Sequence, residues 1–113
     1  MKVNVSFNGK RFIDNVVFAD NFWLRLTGYM FRQTPHVPGI LFSPCNSIQT
    51  TFMRFPLDLA FLDNNNRVVK IKRNMKPWRM TPLYFKATKT LELPVGILPA
   101  EVKEGDVLEV TNV

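Results

Sequence analysis

The sequence contains one cysteine and one histidine among 113 residues, and this scarcity argues against several kinds of site. A single cysteine, Cys45, cannot form an intramolecular disulfide. Cys45 and His36 alone cannot assemble a metal centre without borrowed carboxylates, so we expect neither a metal nor another cofactor. Glycine-rich phosphate loops and serine-based nucleophile motifs are also missing. The common metal-, nucleotide- and serine-dependent enzyme classes are therefore not indicated.

Long apolar runs are missing as well. The longest stretch without a charged residue, 33–53, contains three prolines and many polar side chains, so it cannot span a bilayer. No apolar segment typical of a signal peptide follows Met1. We therefore expect a soluble, cytoplasmic protein that makes no membrane contact.

The composition is that of one globular domain covering residues 1–113. Hydrophobic residues make up 46% and charged residues 21%, which supplies enough apolar surface for an ordinary core. The net charge of +6 favours solubility and weak attraction to anionic partners. We expect a monomer or a weak homodimer.

Short apolar stretches separated by turn residues predict an all-β, mainly antiparallel fold, either a compact sandwich or a barrel. Asn8-Gly9 predicts a tight hairpin turn, and the run from Asp63 to Asn66 predicts a second turn. One or two short helices are expected, over 21–26 and as a single turn within 98–103. The predicted strands are 3–7, 11–18, 39–43, 48–53, 57–62, 68–73, 87–93 and 106–111.

Asp58 is the most informative single residue, because it places a carboxylate within the apolar strand that follows Pro56. A buried carboxylate without compensation would cost several kcal/mol. Asp58 should therefore have a cationic or hydrogen-bond-donating partner, an opening to water, or a ligand.

Ordered motifs run over about 19–110. They are Ala19-Asp20, Arg25–Met30, Arg32, Gly39–Phe42, Thr51–Met53, Pro56–Asp58, Phe61–Asp63, Val68-Val69, Leu91–Gly96 and Gly105-Asp106. Together they resemble one bacterial and archaeal family, domain of unknown function 192, and the resemblance implies a compact, mostly β domain without an established activity. Members of its subgroup with a Pro-Cys-x-Ser-Ile/Val stretch often carry His at the position of Gln49, so a catalytic or metal role at 49 is not implied. Leu is usual at the position of Tyr29.

Asp58, Glu92 and Arg25 form the first candidate site. Two carboxylates on strand faces could act as general acid and base in a hydrolase, with Arg25 tuning their charge. They could equally grip a ligand's polar groups, or Arg25 could pair with a carboxylate for purely structural reasons. The acid–base pair requires both carboxyl groups to face one cleft.

A basic segment from Arg67 to Arg79 is the second candidate. Lys70, Lys72, Arg73 and Lys76, with Trp78 among them, could hold single-stranded nucleic acid by phosphate contacts and base stacking. The alternative is a solvated edge hairpin whose lysines prevent strand-to-strand aggregation, and the sequence favours it.

Two further sets have structural alternatives. Cys45 with His36 could form a nucleophile and base, but no nucleophile motif surrounds Cys45, so a structural thiol is the better interpretation. An aromatic and methionine set near Pro56 either fills the core or lines a groove, and we expect Trp23 and Met53 to be its exposed members.

The sequence therefore favours a binding module for a small polar ligand or a partner segment, and it leaves catalytic activity open. The predicted shallow groove is lined by Trp23, Arg25, Met30, Met53, Asp58 and Glu92.

Overall fold

Seven β-strands form one sheet in the computed structural model, which describes residues 1–21, 29–30 and 32–113. The sheet order is β5-β4-β6-β3-β2-β1-β7, and every pairing is antiparallel except that of β2 with β3. The strands are β1 (Lys2–Phe7), β2 (Lys10–Ala19), β3 (Ile40–Phe42), β4 (Leu57–Leu62), β5 (Val68–Met75), β6 (Lys89–Pro94) and β7 (Glu109–Asn112).

The two edges of the sheet approach each other at the start of β5. The Val68 amide donates to the Asp106 carbonyl at 2.7 Å, and the Leu108 amide donates to the Asn66 carbonyl at 2.9 Å. These bonds join β5 to the segment directly before β7, so the sheet curls into a partly closed barrel. The prediction of an all-β, mainly antiparallel fold is confirmed.

Side chains alternate between the two faces of each strand, and this alternation creates two apolar clusters. The barrel interior contains Val3, Val5, Ile13, Val16, Leu41, Ala60, Leu62, Val68, Leu91, Leu93, Leu98, Val102 and Leu108. The outer core lies on the opposite face and contains Ala19, Tyr29, Ile40, Phe42, Ile48, Met53, Leu57, Leu59, Phe61 and Ala87. The loops around residues 43–56 and 76–88 supply the covering side chains of the outer core.

Both predicted turns are present. Asn8 and Gly9 have φ values of 52° and 77°, as a tight hairpin turn between β1 and β2 requires. In the second turn, Asp63 Oδ1 accepts hydrogen bonds from the amides of Asn65 at 2.9 Å and Arg67 at 3.0 Å. The local sequence therefore determines both connections.

The predicted strand over 48–53 is wrong. Only an isolated bridge, between Gln49 and Met80, forms within it, and the positive φ of 63° at Phe52 ends the extended backbone. The amides and carbonyls of this segment bond instead to the loop over 76–81. The predicted helix over 21–26 falls almost wholly outside the described residues, and 98–103 forms a turn. In the described part of the chain, no helix is long and apolar enough to cross a membrane.

Truncation of a side chain in the barrel interior should destabilise the fold. Leu91 is fully buried, so we expect Leu91→Ala to lower the free energy of unfolding by about 2–5 kcal/mol, measured by urea denaturation. Val95→Ala, at a position that is 47% exposed, is the control and should change it by less than about 0.5 kcal/mol. Equal effects of the two substitutions would contradict the assignment of the interior.

Candidate functional site

The register between β4 and β6 separates the two candidate carboxylates. Leu59 pairs with Glu92, whereas Asp58 pairs with Leu93. Residues directly opposite each other in an antiparallel pair share a face, so Asp58 and Glu92 lie on opposite faces of the sheet. A general acid–base pair facing one cleft is therefore excluded, and the hydrolase hypothesis built on this pair is wrong.

Asp58 lies on the side of the barrel interior and is 3% exposed. Its Oδ1 accepts a hydrogen bond from the Asn74 amide at 2.8 Å, and its Oδ2 accepts one from the Gly96 amide at 3.2 Å. Asn74 and Gly96 both have positive φ values, 54° and 97°. The carboxylate therefore fastens the end of β5 and the turn after β6 to β4. The predicted compensation of Asp58 is confirmed, with main-chain amides as the donors.

Glu92 lies on the outer face, between Leu59 of β4 and Ile40 of β3, and is 3% exposed. Burial raises the pKa of its carboxyl to about 8, and no hydrogen bond or ion pair from a described residue offsets that burial. The Glu92 carboxyl is therefore mostly protonated at neutral pH. Its neutral form is both a hydrogen-bond donor and an acceptor.

A cavity of about 490 Å³ opens beside Glu92. Its walls are mainly apolar and its rim carries hydroxyl and amide groups. Among the lining residues that the structure describes, only Glu92 is a carboxylic acid. The apolar and sulfur-containing lining consists of Tyr29, Met30, Phe42, Pro44, Cys45, Ile48, Met53, Met80 and Leu83, and the polar rim consists of Ser47, Gln49, Thr51 and Thr81.

Hydrogen bonds between two loops hold the cavity wall in place. The Ile48 amide donates to the Thr81 hydroxyl at 2.9 Å, and the Thr81 amide donates to the Ile48 carbonyl at 2.9 Å. Cys45 is anchored to the sheet, because its amide donates to the Thr88 carbonyl and its carbonyl accepts from the Thr90 hydroxyl. The cavity therefore has a wall that main-chain and threonine hydroxyl hydrogen bonds hold in place.

Tyr29 forms another part of the wall. Its hydroxyl donates to the Val37 carbonyl at 2.9 Å, and burial, with the nearby Glu92 charge, raises its pKa. The His36 ring meets the Tyr29 ring edge-on at 5.6 Å. Burial, with the neighbouring Arg32 charge, lowers the pKa of His36.

The residues predicted to line one groove are divided between the faces. Met30, Met53 and Glu92 surround the cavity, whereas Asp58 lies across the sheet from it. Trp23 and Arg25 lie outside the described residues, so no contact is assigned to either. The expected exposure of Met53 is wrong: it is 5% exposed because it packs in the outer core.

Several basic residues of the second candidate site have structural contacts. Lys70 pairs with Glu104 at 3.4 Å, and the Arg73 guanidinium donates to the carbonyls of Leu98, Pro99 and Val102. Lys72 lies on β5, an edge strand of the sheet, and pairs with Leu59 of β4. Lys76 and Trp78 lie beyond the end of β5 and are exposed.

Cys45 contributes to the cavity wall, and its thiol donates to the Ser47 carbonyl at 3.2 Å. This contact fits the interpretation of a structural thiol.

Sequence reasoning missed the contribution of the loop after β5. Met80, Thr81 and Leu83 lie in a segment that contains prolines and lacks periodicity. These features predict an irregular, partly exposed loop. The apolar residues Met80 and Leu83, on either side of Thr81-Pro82, are the available sequence signal that this loop packs against another part of the protein. Their contact with the segment over 45–53 is long-range, so no local pattern predicts it.

The fold and cavity define a class: small partly closed β-barrels with a buried acid in a side cavity. The chain belongs to the family described as uncharacterized ACR, domain of unknown function 192, whose model matches residues 3–110. The resemblance noted from its motifs is thereby confirmed.

Two proteins with similar sequences are described as UPF0127 proteins. A UPF0127 protein of Pyrococcus furiosus is 38% identical over 107 residues, covering 89% of this chain and 90% of the relative. A UPF0127 protein of Thermococcus kodakarensis is 32% identical over 109 residues, covering 91% and 69%.

Two crystal structures share the fold. A protein of unknown function from Novosphingobium aromaticivorans matches 96% of this chain and 84% of its own with a TM-score of 0.78 at 24% identity. A Sinorhizobium meliloti protein, described as a candidate transcription regulator, matches 96% and 92% with a TM-score of 0.76 at 25% identity.

Substitution of Asp58 should destabilise the protein. In Asp58→Asn an amide NH₂ replaces one carboxylate oxygen and faces a main-chain N–H, leaving that donor unpaired. We expect the free energy of unfolding to fall by about 1–3 kcal/mol in urea denaturation. Asp14→Asn, which removes an exposed ion pair with Arg11, is the control and should cost less than about 1 kcal/mol. An unchanged free energy in Asp58→Asn would contradict the fastening role.

Burial of Glu92 should make stability depend on pH. The carboxyl has a pKa near 4.5 when unfolded and about 8 when folded, so the folded state binds the extra proton between these values. The contribution of Glu92 to stability should therefore be greatest below pH 4.5, decline by up to roughly 5 kcal/mol as the pH rises to 8, and level off above it.

The difference between wild type and Glu92→Gln isolates this effect, because the titration of His36 is common to both proteins. Urea denaturation at half-unit steps from pH 4.5 to 9 measures the difference. A constant difference across that range would refute the raised pKa of Glu92.

Proposed function

We propose that this protein is a binding module for a small neutral ligand held in the cavity beside Glu92. The observation that carries the proposal is a buried carboxyl, without a hydrogen-bond or ion-pair partner among the described residues, that lines a cavity of about 490 Å³. Buried polar groups are normally satisfied, so one left open toward a cavity indicates a missing partner. A ligand with a complementary polar group would supply it.

The ligand should be neutral where it meets Glu92. The carboxyl is mostly protonated at neutral pH, and the described part of the lining contains no lysine, arginine, histidine or further carboxylic acid. A cationic ligand would have to ionise Glu92 and would also approach a protein whose net charge is +6. The structure therefore favours a hydrogen-bonding ligand over an ion-pairing one.

A protonated carboxyl presents one donor and one acceptor side by side, which matches the edge of an amide or lactam. The apolar wall, including Met30, Ile48 and Met53, would hold the rest of the ligand, and the cavity volume suits a small molecule. A main-chain amide of a partner segment presents the same edge, so an inserted peptide end would use the same contacts.

A thermal-shift screen of small neutral amides and lactams, with primary amines as a comparison set, tests this proposal. At pH 6.5 we expect stabilising compounds among the amides and lactams. A hundredfold excess over Kd should add ~2.7 kcal/mol, which is roughly a 10 °C rise in Tm. The stabilisation should weaken at pH 9, because the ionised Glu92 carboxylate no longer donates.

Two variants at one position provide matched controls. Glu92→Leu removes the polar group and should abolish the stabilisation, whereas Glu92→Gln keeps a donor and an acceptor and should retain it at both pH values. Stabilisation that is unchanged in Glu92→Leu, or that is confined to the amines, would contradict the proposal.

A further inference from the structure

The rings of Phe52 and Trp78 form an exposed pair, here called the aromatic platform. Their centroids are 4.8 Å apart with an interplanar angle of 64°, and the two residues are 45% and 58% exposed. Large aromatic side chains usually bury their surface, and exposed pairs are common where a protein binds a partner. The platform lies outside the lining of the Glu92 cavity.

The backbone under the platform is strained. Phe52 and Trp78 both have a φ of 63°, a left-handed conformation that bulky residues rarely adopt. Thr50, which is fully buried, holds it: its hydroxyl donates to the Lys76 carbonyl at 2.8 Å and accepts from the Arg79 amide at 2.9 Å. Its carbonyl accepts from the Trp78 amide at 3.0 Å. Strain maintained by the surrounding structure is typical of functional sites.

The charge around the platform is positive. Residues 64–91 contain eight lysines and arginines and no aspartate or glutamate. Part of this charge has structural contacts, because Lys70 pairs with Glu104 and Arg73 donates to carbonyls of the 98–102 turn.

Three cations lie next to the platform in sequence, and one of them, Arg79, also donates from its guanidinium to the Trp78 carbonyl at 3.3 Å. Lys76 and Arg79 flank Trp78, and Arg54 follows Phe52 by two residues. All three are exposed, and none makes an ion pair with a described residue. Positive charge without an ion-pair partner among the described residues therefore lies next to the two exposed rings in sequence.

We propose that the aromatic platform, with Lys76, Arg79 and Arg54, binds single-stranded nucleic acid. Bases would stack on the two rings and phosphates would contact the cations, which is how sequence-tolerant single-strand binding is achieved. The bonds from Thr50 hold the backbone that carries Trp78, and such a fixed support suits base stacking, whereas insertion into a lipid surface needs no fixed geometry. The proposal is independent of the Glu92 cavity.

Fluorescence anisotropy with labelled 20-nucleotide oligo(dT) and oligo(U) tests the proposal at 50 and 200 mM NaCl. We expect binding of at least one of the two oligonucleotides. Trp78→Ala and Phe52→Ala should each raise Kd roughly 5- to 100-fold. The double substitution of Lys76 and Arg79 by alanine should reduce the slope of log K against log salt by about 1.4.

Two matched controls distinguish binding at the platform from nonspecific binding through other exposed aromatic side chains or through net charge. Phe85→Ala removes another aromatic side chain, one that is 83% exposed, and Lys10→Ala removes one charge from the β1–β2 hairpin; neither should change Kd more than twofold. Glu92→Leu should also bind normally, which separates this test from that of the cavity.

Failure to bind either oligonucleotide at 50 mM NaCl would overturn the proposal. Equal losses in the platform variants and the controls would do the same, as would binding only to phosphatidylserine–phosphatidylcholine vesicles. Thermal denaturation of each variant checks that it is folded.

Discussion

The pairing of β4 with β6 is the constraint on which the rest of the structure depends. It aligns Asp58 with Leu93 and Glu92 with Leu59, so each acid is sent to a different side of the sheet. A slip of one residue would turn one strand over relative to the other, which would bring both acids to one face and place the apolar side chains of that strand in the wrong cluster. The many buried leucines on β4 and β6 therefore fix the register, and the register fixes the environment of each carboxyl.

The two acids meet the cost of burial in different ways. Asp58 keeps main-chain donors at both of its oxygens, and in return it fastens two left-handed turns to the barrel. Glu92 has no such donors among the described residues, and it responds to burial through a raised pKa. A leucine at position 92 would suit an apolar core better, and a filled cavity would pack better than an open one. The outer side of the sheet thus gives up stability at the place where a ligand could enter.

The barrel follows from local signals in the sequence. Alternation in residues 3–7 and 57–62, together with the turn residues Asn8-Gly9 and Asp63–Asn66, is enough to predict its hairpins. The outer core does not follow in this way. Segment 48–53 has the composition of a strand, yet its hydrogen bonds go to a loop about thirty residues away and its φ angles reverse at Phe52. The positive φ at Phe52 turns the chain so that Met53 is buried and Phe52 is exposed. The prediction had Met53 exposed. The placement of Asp58 and Glu92 on opposite faces of the sheet likewise depends on a long-range strand pairing that neither strand specifies alone.

The protonation state of Glu92 tests the central claim most directly. A pH titration of its side-chain carboxyl ¹³C chemical shift, assigned by the loss of that signal in Glu92→Gln, reports the pKa in the folded protein. A titration midpoint about 8 would show a neutral acid in the cavity at physiological pH. A midpoint near 4.5 would show an ordinary, charged carboxylate and would contradict the account.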